Sequence, residues 1–347
     1  MSSRVRVGIL GASGYTGADL VRLLSQHRSV EIRLLTANAQ AGQPLAAVYP
    51  HLGHLDLPDL IKAEEASWDG LDAVFCALPH ATSQQIVRQL PASLKVVDLS
   101  ADFRLENIET YATWYGHEHL APDLQEEAVY GLTEANRTAI AAGRLIACPG
   151  CYPTAALLAL LPLVRDGLIA ADDVIIDAKS GASGAGRSLK QNLLFCEAGE
   201  GLSPYAVGKH RHAPEIEQEL GKAAGRELLV NFTPHLVPMS RGELVTCHLR
   251  LSEGASQEDL RQSLARAYQD ETFIRLLAPG ALPSTQMVRG SNYVAMAVLP
   301  DRIPGRAIVI AAIDNLVKGS SGQAIQNMNL LFGLEESEGL LQAPLFP

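Results

Sequence analysis

Val5-Arg6-Val7-Gly8-Ile9-Leu10-Gly11-Ala12-Ser13-Gly14-Tyr15-Thr16-Gly17 is the stretch that decides the fold. Its first half, Val5–Leu10, is a short apolar run of the kind a buried parallel strand needs. Gly11 follows at once. A helical stripe comes next, with Leu20, Val21, Leu23 and Leu24 apolar within residues 18–26. Glycines at 11, 14 and 17 let the chain turn sharply between strand and helix and come close to a pyrophosphate. The unpaired N–H groups at the helix start then bind the anion. Such spacing alone also fits an ordinary strand–helix turn, but its place on the first β-α unit marks a dinucleotide loop. Gly11, Ser13, Gly14, Tyr15, Thr16 and Gly17 are therefore the expected cofactor contacts.

Working outward, strand-like runs at 31–36, 73–78 and 96–99 continue the alternation of strand and helix, which predicts a parallel sheet covered on both faces. The second of these strands ends Leu34-Leu-Thr-Ala-Asn-Ala39 without an acid for a ribose 2′-hydroxyl. NADP is favoured over NAD, with Thr36 and Asn38 near the 2′-phosphate. Pro79 closes a strand at the carboxyl edge, where ligands bind in such sheets. From Cys151 the pattern changes. A helix over 153–164 is followed by strands at 174–178, 228–233, 244–251, 293–299 and 307–313. Ser256-Gln-Glu-Asp259 opens another helix as a capping box, and a last helix spans 322–334. The fold class is an α/β Rossmann-type dinucleotide-binding domain plus an α+β catalytic domain with a mixed sheet. The expected boundaries are 1–150, completed by 315–347, and 151–314, with a cleft between.

A length of 347 residues agrees with two domains. With 47% hydrophobic and 19% charged residues the chain builds a core, and disordered classes drop out. Its 28 Lys+Arg against 38 Asp+Glu give a net charge of −10, which disfavours nucleic acid and anionic membranes as partners. Five cysteines, an odd number, argue for reduced thiols in the cytoplasm rather than a disulfide framework. The N-terminal apolar run breaks at Gly11, short of a signal-peptide core. The most apolar stretch, 155–164, is half the roughly 20 residues a membrane span needs. A soluble protein is expected.

Leu145-Ile-Ala-Cys148-Pro-Gly-Cys151-Tyr-Pro-Thr154 places a thiol at the start of a helix. The unpaired N–H groups and the helix dipole stabilise a thiolate there, which is how a nucleophilic cysteine is made. A redox C-x-x-C pair, a zinc site with His210 and His212, and buried core thiols are the competing readings. The H-x-H spacing is tighter than zinc sites use, so no metal is expected. Cys76, Cys196 and Cys247 read as structural. Lys209-His-Arg-His-Ala-Pro-Glu215 is the dense histidine cluster. In an extended segment His210 and His212 would share one side, and either would serve as acid/base.

Six motifs in this order resemble the N-acetyl-gamma-glutamyl-phosphate reductase family: Gly11–Gly17, Ser100-Ala-Asp-Phe-Arg104, Pro149-Gly-Cys-Tyr-Pro-Thr-Ala155, Gly181-Ala-Ser-Gly-Ala-Gly-Arg187, His210-Arg-His212 and Asn315-Leu-Val-Lys-Gly319. The resemblance runs through nearly the whole chain. It implies NADPH-dependent reduction of N-acetyl-glutamyl 5-phosphate to N-acetylglutamate 5-semialdehyde with loss of phosphate, by a dimer or tetramer in arginine biosynthesis. The second domain would then also carry dimerisation. Cys151 would form the thioester and His210, with His212 as the alternative, would be the acid/base. A doubly anionic substrate needs cations. The resemblance puts Arg104 at its phosphate; Ser100 and His212 count among the substrate-binding residues, and Arg211 or Arg241 would hold its carboxylate. It also sets Ser183, Gly184 and Asn315 against the cofactor. Two departures stand out. Residues 36–42 lack the family's Ser-Arg pair, and Cys148 replaces an asparagine, adding a second thiol near the nucleophile. The rival readings are a sister acyl-phosphate reductase, such as aspartate-semialdehyde dehydrogenase or a reductase of carrier-bound aminoadipyl phosphate, and a non-catalytic NADP-binding sensor.

Overall fold

In the computed structural model, residues 4–346 are described, and they divide into two compact units. One unit comprises residues 1–149 with 320–342, and the other 150–319 with 343–347. Residues 315–319 therefore group with the second unit, and the chain returns to the first at Ser320.

The first unit is built on a seven-stranded sheet. Its strands are β1 (Val5–Leu10), β2 (Val30–Thr36), β3 (Leu60–Ile61), β4 (Ala73–Cys76), β5 (Lys95–Asp98), β6 (Ala128–Tyr130) and β7 (Leu145–Ala147). All pairings are parallel, in the order β3-β2-β1-β4-β5-β7-β6. The order reverses beside β1, the point at which such sheets bind ligands at their carboxyl edge. Strands buried on both faces explain the continuous apolar runs: Val7, Ile9, Leu10, Val74, Phe75, Val96 and Val97 are all inaccessible. β4 ends at Cys76, two residues before its expected end, because the chain turns out of the sheet ahead of Pro79. The C-terminal helix Gly322–Leu331 packs on the helix Thr133–Ala142 of this unit. Asn327 Nδ2 donates to the Gly131 carbonyl at 2.8 Å, and the Thr133 hydroxyl donates to Asn327 Oδ1 at 2.7 Å.

The second unit has a mixed seven-stranded sheet. It contains β8 (Ile169–Gly181), β9 (Ser203–Pro204), β10 (Asn231–Val237), β11 (Glu243–Leu251), β12 (Ile274–Leu276), β13 (Val294–Pro300) and β14 (Arg306–Ile313), in the order β12-β13-β14-β11-β8-β10-β9. The helix Cys151–Arg165 is buried from Tyr152 to Val164 and packs on this sheet. An all-round apolar helix of this kind is a core helix. The capping box is present at Ser256 and Asp259, heading the helix Gln257–Tyr268. β8 is longer than its apolar centre suggested, because its polar residues alternate outward along 13 residues. β10 runs three to four residues later than expected. Pro234 argues against a strand, yet it is tolerated because only the two-residue β9 flanks β10 on that side.

Candidate active site

The glycine loop leaves β1 and enters the helix Tyr15–Leu24, with Gly14 as its N-cap. Gly11 has φ +79°, and a Cβ there would lie 2.3 Å from the Ala77 carbonyl oxygen. A Cβ on Gly17 would lie 2.4 Å from the Gly11 oxygen and 2.6 Å from Ala12 Cα. These two glycines are required by the turn itself. Gly14 is different, since its Cβ would approach only the Gly11 oxygen, at 3.4 Å, and no side chain caps the helix. That opening, with the first-turn N–H groups behind it, fits a pyrophosphate.

The neighbours of the loop are placed as follows. The Gly11 N–H donates to Thr36 Oγ1 at 3.2 Å and the Ala12 N–H to the Thr36 carbonyl at 2.8 Å, so buried Thr36 braces the turn. Asn38, just past β2, is exposed. The Tyr49 hydroxyl donates to the Ser13 carbonyl at 2.9 Å, and Thr16 Oγ1 lies 3.3 Å from Ser320 Oγ. Tyr15 and Pro79 are exposed. Gly17→Ala is expected to cost roughly 1–3 kcal/mol of stability, the usual range for forced overpacking, and to weaken dinucleotide binding. Thermal melting and NADPH fluorescence titration read both.

Ser100 and Arg104 are buried in the same unit rather than displayed. The Ser100 hydroxyl donates to Asp98 Oδ2 at 2.7 Å, and Ser83 Oγ donates to Asp98 Oδ1 at 2.7 Å. Burial and the nearby Asp102 push the Asp98 carboxyl up to about 6. Ser100 thus belongs to an internal polar turn. Arg104 donates through Nε to the Cys148 carbonyl at 2.8 Å and through Nη2 to the Leu99 carbonyl at 3.1 Å. Its guanidinium fixes the ends of two neighbouring stretches of backbone. Cys148 is fully buried, its thiol pushed up to about 12 by desolvation, and Asn327 Nδ2 lies 3.6 Å from its sulfur. A thiol so held is a poor nucleophile.

In the second unit Cys151 is the first residue of its helix, with Gly150 as N-cap and no side chain capping the N–H groups. It is partly exposed, whereas Cys76, Cys148 and Cys247 are buried. Cys196, read from the sequence as structural, is exposed. The flanking residues of Cys151 touch both expected histidines. Tyr152 meets the His210 ring at 5.7 Å and the His212 ring at 5.8 Å between centroids, and the two imidazoles are 4.7 Å apart. A Cβ on Gly150 would fall 2.3 Å from His212 Nε2. The segment is not extended as expected, because the helix His212–Ala224 begins at the second histidine. The rings meet across that helix start instead. The His212 N–H donates to His210 Nδ1 at 3.1 Å, which leaves Nε2 as the protonated nitrogen of a neutral His210 ring. Burial, with Arg211 alongside, lowers His210 to about 4, so the ring is neutral near pH 7.

Three groups here carried no sequence signal beyond their polarity. Glu215, one turn into the same helix, accepts the Gly150 N–H at 2.8 Å and so orients the N-cap of the nucleophile's helix. The Tyr205 hydroxyl donates to the Tyr152 hydroxyl at 3.2 Å. Glu243 starts β11 with its carboxyl fully buried. A lone Glu at a strand start reads as a surface residue, so nothing in the sequence marked it.

The remaining predicted residues divide between bracing and exposure. Asn315 is buried, accepts the Gly242 N–H at 2.8 Å and donates to Ser183 Oγ at 3.0 Å. It ties the loop holding Ser183 and Gly184 to the loop before β11. Arg241 faces buried Asp314 at 3.6 Å. Arg211 is exposed beside His210. Among the described residues, no group of His, Cys, Asp and Glu side chains is arranged to hold a metal ion, and no helix is long and apolar enough to cross a membrane.

Residues 6–143 match the model of the semialdehyde dehydrogenase NAD binding domain, and residues 151–315 that of the semialdehyde dehydrogenase dimerisation domain. The chain is 58% identical to an N-acetyl-gamma-glutamyl-phosphate reductase from Rhodospirillum rubrum, over the whole of both chains. It is 54% identical to a probable chloroplastic N-acetyl-gamma-glutamyl-phosphate reductase of Arabidopsis thaliana, over 99% of this chain and 86% of that protein. Among solved structures, aspartate semialdehyde dehydrogenase II from Vibrio cholerae shares the fold, with a TM-score of 0.73 at 18% identity over 95% and 99% of the two chains. The aspartate semialdehyde dehydrogenase of Candida albicans with NADP gives 0.72 at 19% identity over 94% and 98%.

Proposed function

The chain belongs to the N-acetyl-gamma-glutamyl-phosphate reductase family, its reaction is the reduction of N-acetyl-glutamyl 5-phosphate to N-acetylglutamate 5-semialdehyde with release of phosphate, and we propose that Cys151 carries the acyl group and NADPH the reducing power. The observation that carries the assignment is a partly exposed thiol at the first residue of a helix whose N–H groups have no side-chain cap. The thiolate attacks the acyl carbon, the C–O bond to phosphate breaks, and a thioester remains. A thioester accepts hydride where a carboxylate does not. NADPH, when bound, supplies that hydride. His210, neutral and protonated on Nε2, donates a hydrogen bond to the oxygen that becomes negative as the hemithioacetal forms. Collapse of that species expels the sulfur and frees the aldehyde.

The glycine loop, Gly11 to Gly17, is assigned the pyrophosphate. The absence of an acid at the end of β2, with Asn38 exposed there, favours NADPH over NADH. Arg104 supplies positive charge for the phosphate. Arg211, exposed beside His210, or Arg241 is assigned the substrate carboxylate. Residues 151–315 match a dimerisation domain, so we assign a homodimer or a tetramer built from it. We assign the enzyme to the cytoplasm, since its five cysteines, an odd number, suit reduced thiols. A steady-state assay of NADP reduction with phosphate present tests the substrate. N-acetylglutamate semialdehyde is expected to exceed aspartate semialdehyde in kcat/KM by at least about a hundred-fold. Equal values, or a preference for the aspartate compound, would reject the assignment.

A further inference from the structure

Ala81 has φ +66°, a left-handed backbone that alanine rarely adopts. It lies in the turn Pro79-His80-Ala81-Thr82, between the end of β4 and the helix Ser83–Gln89. Residues 79–81 are exposed. Beneath them is Asp102, fully buried. The Ala81 N–H donates to Asp102 Oδ1 at 2.8 Å, and the Ser83 N–H donates to Oδ2 at 3.0 Å. The Tyr111 hydroxyl also donates to Oδ1, at 3.2 Å. The bond from Ser83 acts as a helix cap, which Thr82, the N-cap residue, does not supply from its own side chain. The bond from Ala81 does something else, because it holds the strained residue that precedes the helix. His80 is fixed in the same turn, its Nδ1 accepting the Ala101 N–H at 3.2 Å.

This turn adjoins the glycine loop. β4 pairs with β1 beside the point where the strand order reverses. A Cβ on Gly11 would lie 2.3 Å from the Ala77 carbonyl oxygen and 3.5 Å from Leu78 Cδ2, just before the turn. Ligands of such sheets bind at that carboxyl edge. We propose that Asp102 is a positioning residue for the dinucleotide: from beneath, it holds the 79–82 turn in the shape that the cofactor meets beside the glycine loop. The inference rests on the glycine loop as the dinucleotide site and not on the identity of the second substrate.

Strain is the reason such a hold is needed. A side chain on an L-residue clashes with its own backbone at positive φ, so a free turn would leave that region. Hydrogen bonds to a carboxylate are stronger than those to a neutral acceptor, and two of them grip the backbone on either side of Thr82. Where the turn relaxes, only a fraction of the molecules remains competent, and the apparent Kd for the cofactor rises by the inverse of that fraction. A plain helix cap has a different consequence. It would act on Ser83 alone, and the residue at position 81 would make no difference to it.

Fluorescence titration with NADPH, on the full chain, tests the difference. Asp102→Asn keeps the volume but offers one acceptor oxygen, so an NH2 group must face one of the two backbone N–H groups. It is expected to raise the NADPH Kd about ten-fold, the rise when one molecule in ten keeps the turn. Ala81→Gly added to Asp102→Asn is expected to restore Kd to within about three-fold of the wild type, because glycine takes positive φ without strain. A helix cap gives no such rescue. A double variant as weak as Asp102→Asn would therefore overturn the proposal, as would wild-type affinity in Asp102→Asn. A second pair of variants leaves the buried carboxylate in place and decides the matter even where Asp102→Asn does not fold. Ala81→Val, β-branched and so excluded from positive φ, is expected to weaken NADPH about ten-fold. Ala81→Asn, of similar size but tolerant of that region, is expected to stay within about three-fold of the wild type. Equal affinities for these two variants would overturn the proposal, since bulk and not backbone shape would then set the binding. A wild-type protein that binds neither NADPH nor NADH would remove the dinucleotide reading itself, and the proposal with it.

Discussion

Cys151→Ser is expected to lower phosphate-dependent oxidation of N-acetylglutamate semialdehyde by about 10⁴-fold or more, the scale seen when a nucleophile is removed from a covalent mechanism. A serine hydroxyl at the same helix start ionises far too weakly to replace a thiolate, and the helix N-terminus cannot make up a difference of several pKa units. NADPH binding should be retained, because the glycine loop belongs to the other compact unit. Fluorescence titration of NADPH and a stopped assay of NADP reduction separate the two effects. Activity within ten-fold of the wild type would sink Cys151 as nucleophile. The buried Cys148, pushed up to about 12, is not a substitute.

His210→Asn is expected to lower kcat by ~10²–10⁴-fold, the range for a positioned proton donor or acceptor, with a much smaller change in KM. Asparagine keeps a polar group of similar reach but loses the Nε2 donor. The pH dependence has a definite sign. His210 is lowered from 6.5 to about 4 in the folded protein. Its neutral form therefore contributes stability that is present above 6.5 and lost as pH falls toward 4. In the pH profile of kcat, any acid limb due to His210 falls near 4 rather than 6.5. An acid limb near 6.5 that disappears in His210→Asn would show that the ring titrates unshifted, contrary to its burial, whereas a fall in kcat as pH rises through that value would show that the ring works as the imidazolium. A variant with unchanged kcat would transfer the role to His212.

Several elements were legible because their signals are local. The run Val5–Leu10 followed by Gly11 specifies strand, turn and helix within 20 residues, and the structure has that unit. The box at Ser256 and Asp259 was readable for the same reason. Other side-chain partners lie far along the chain, where the sequence does not show them. Thr36 lies at a plausible cofactor position, yet its hydroxyl is taken by Gly11, 25 residues earlier. Asn315 follows the last strand as expected, but its amide is held by Gly242 and Ser183. The strand expected at 228–233 runs instead over Asn231–Val237, through Pro234, since the sequence does not show which neighbour will flank a strand.

By itself the sequence determined the dinucleotide loop, the thiol at a helix N-terminus and the histidine cluster, because turn geometry, helix dipoles and motif spacing act between residues close along the chain. It also determined the family, through six motifs in order. Only the tertiary structure decided the state of those groups. Burial beside Arg211 keeps His210 neutral, and burial holds Cys148 as an inert thiol. Pairing of β11 with β8 and β14 holds the Glu243 carboxyl in the interior, where burial raises it to about 8. Desolvation and pairing depend on what the folded chain excludes from water, and no short stretch of residues encodes that.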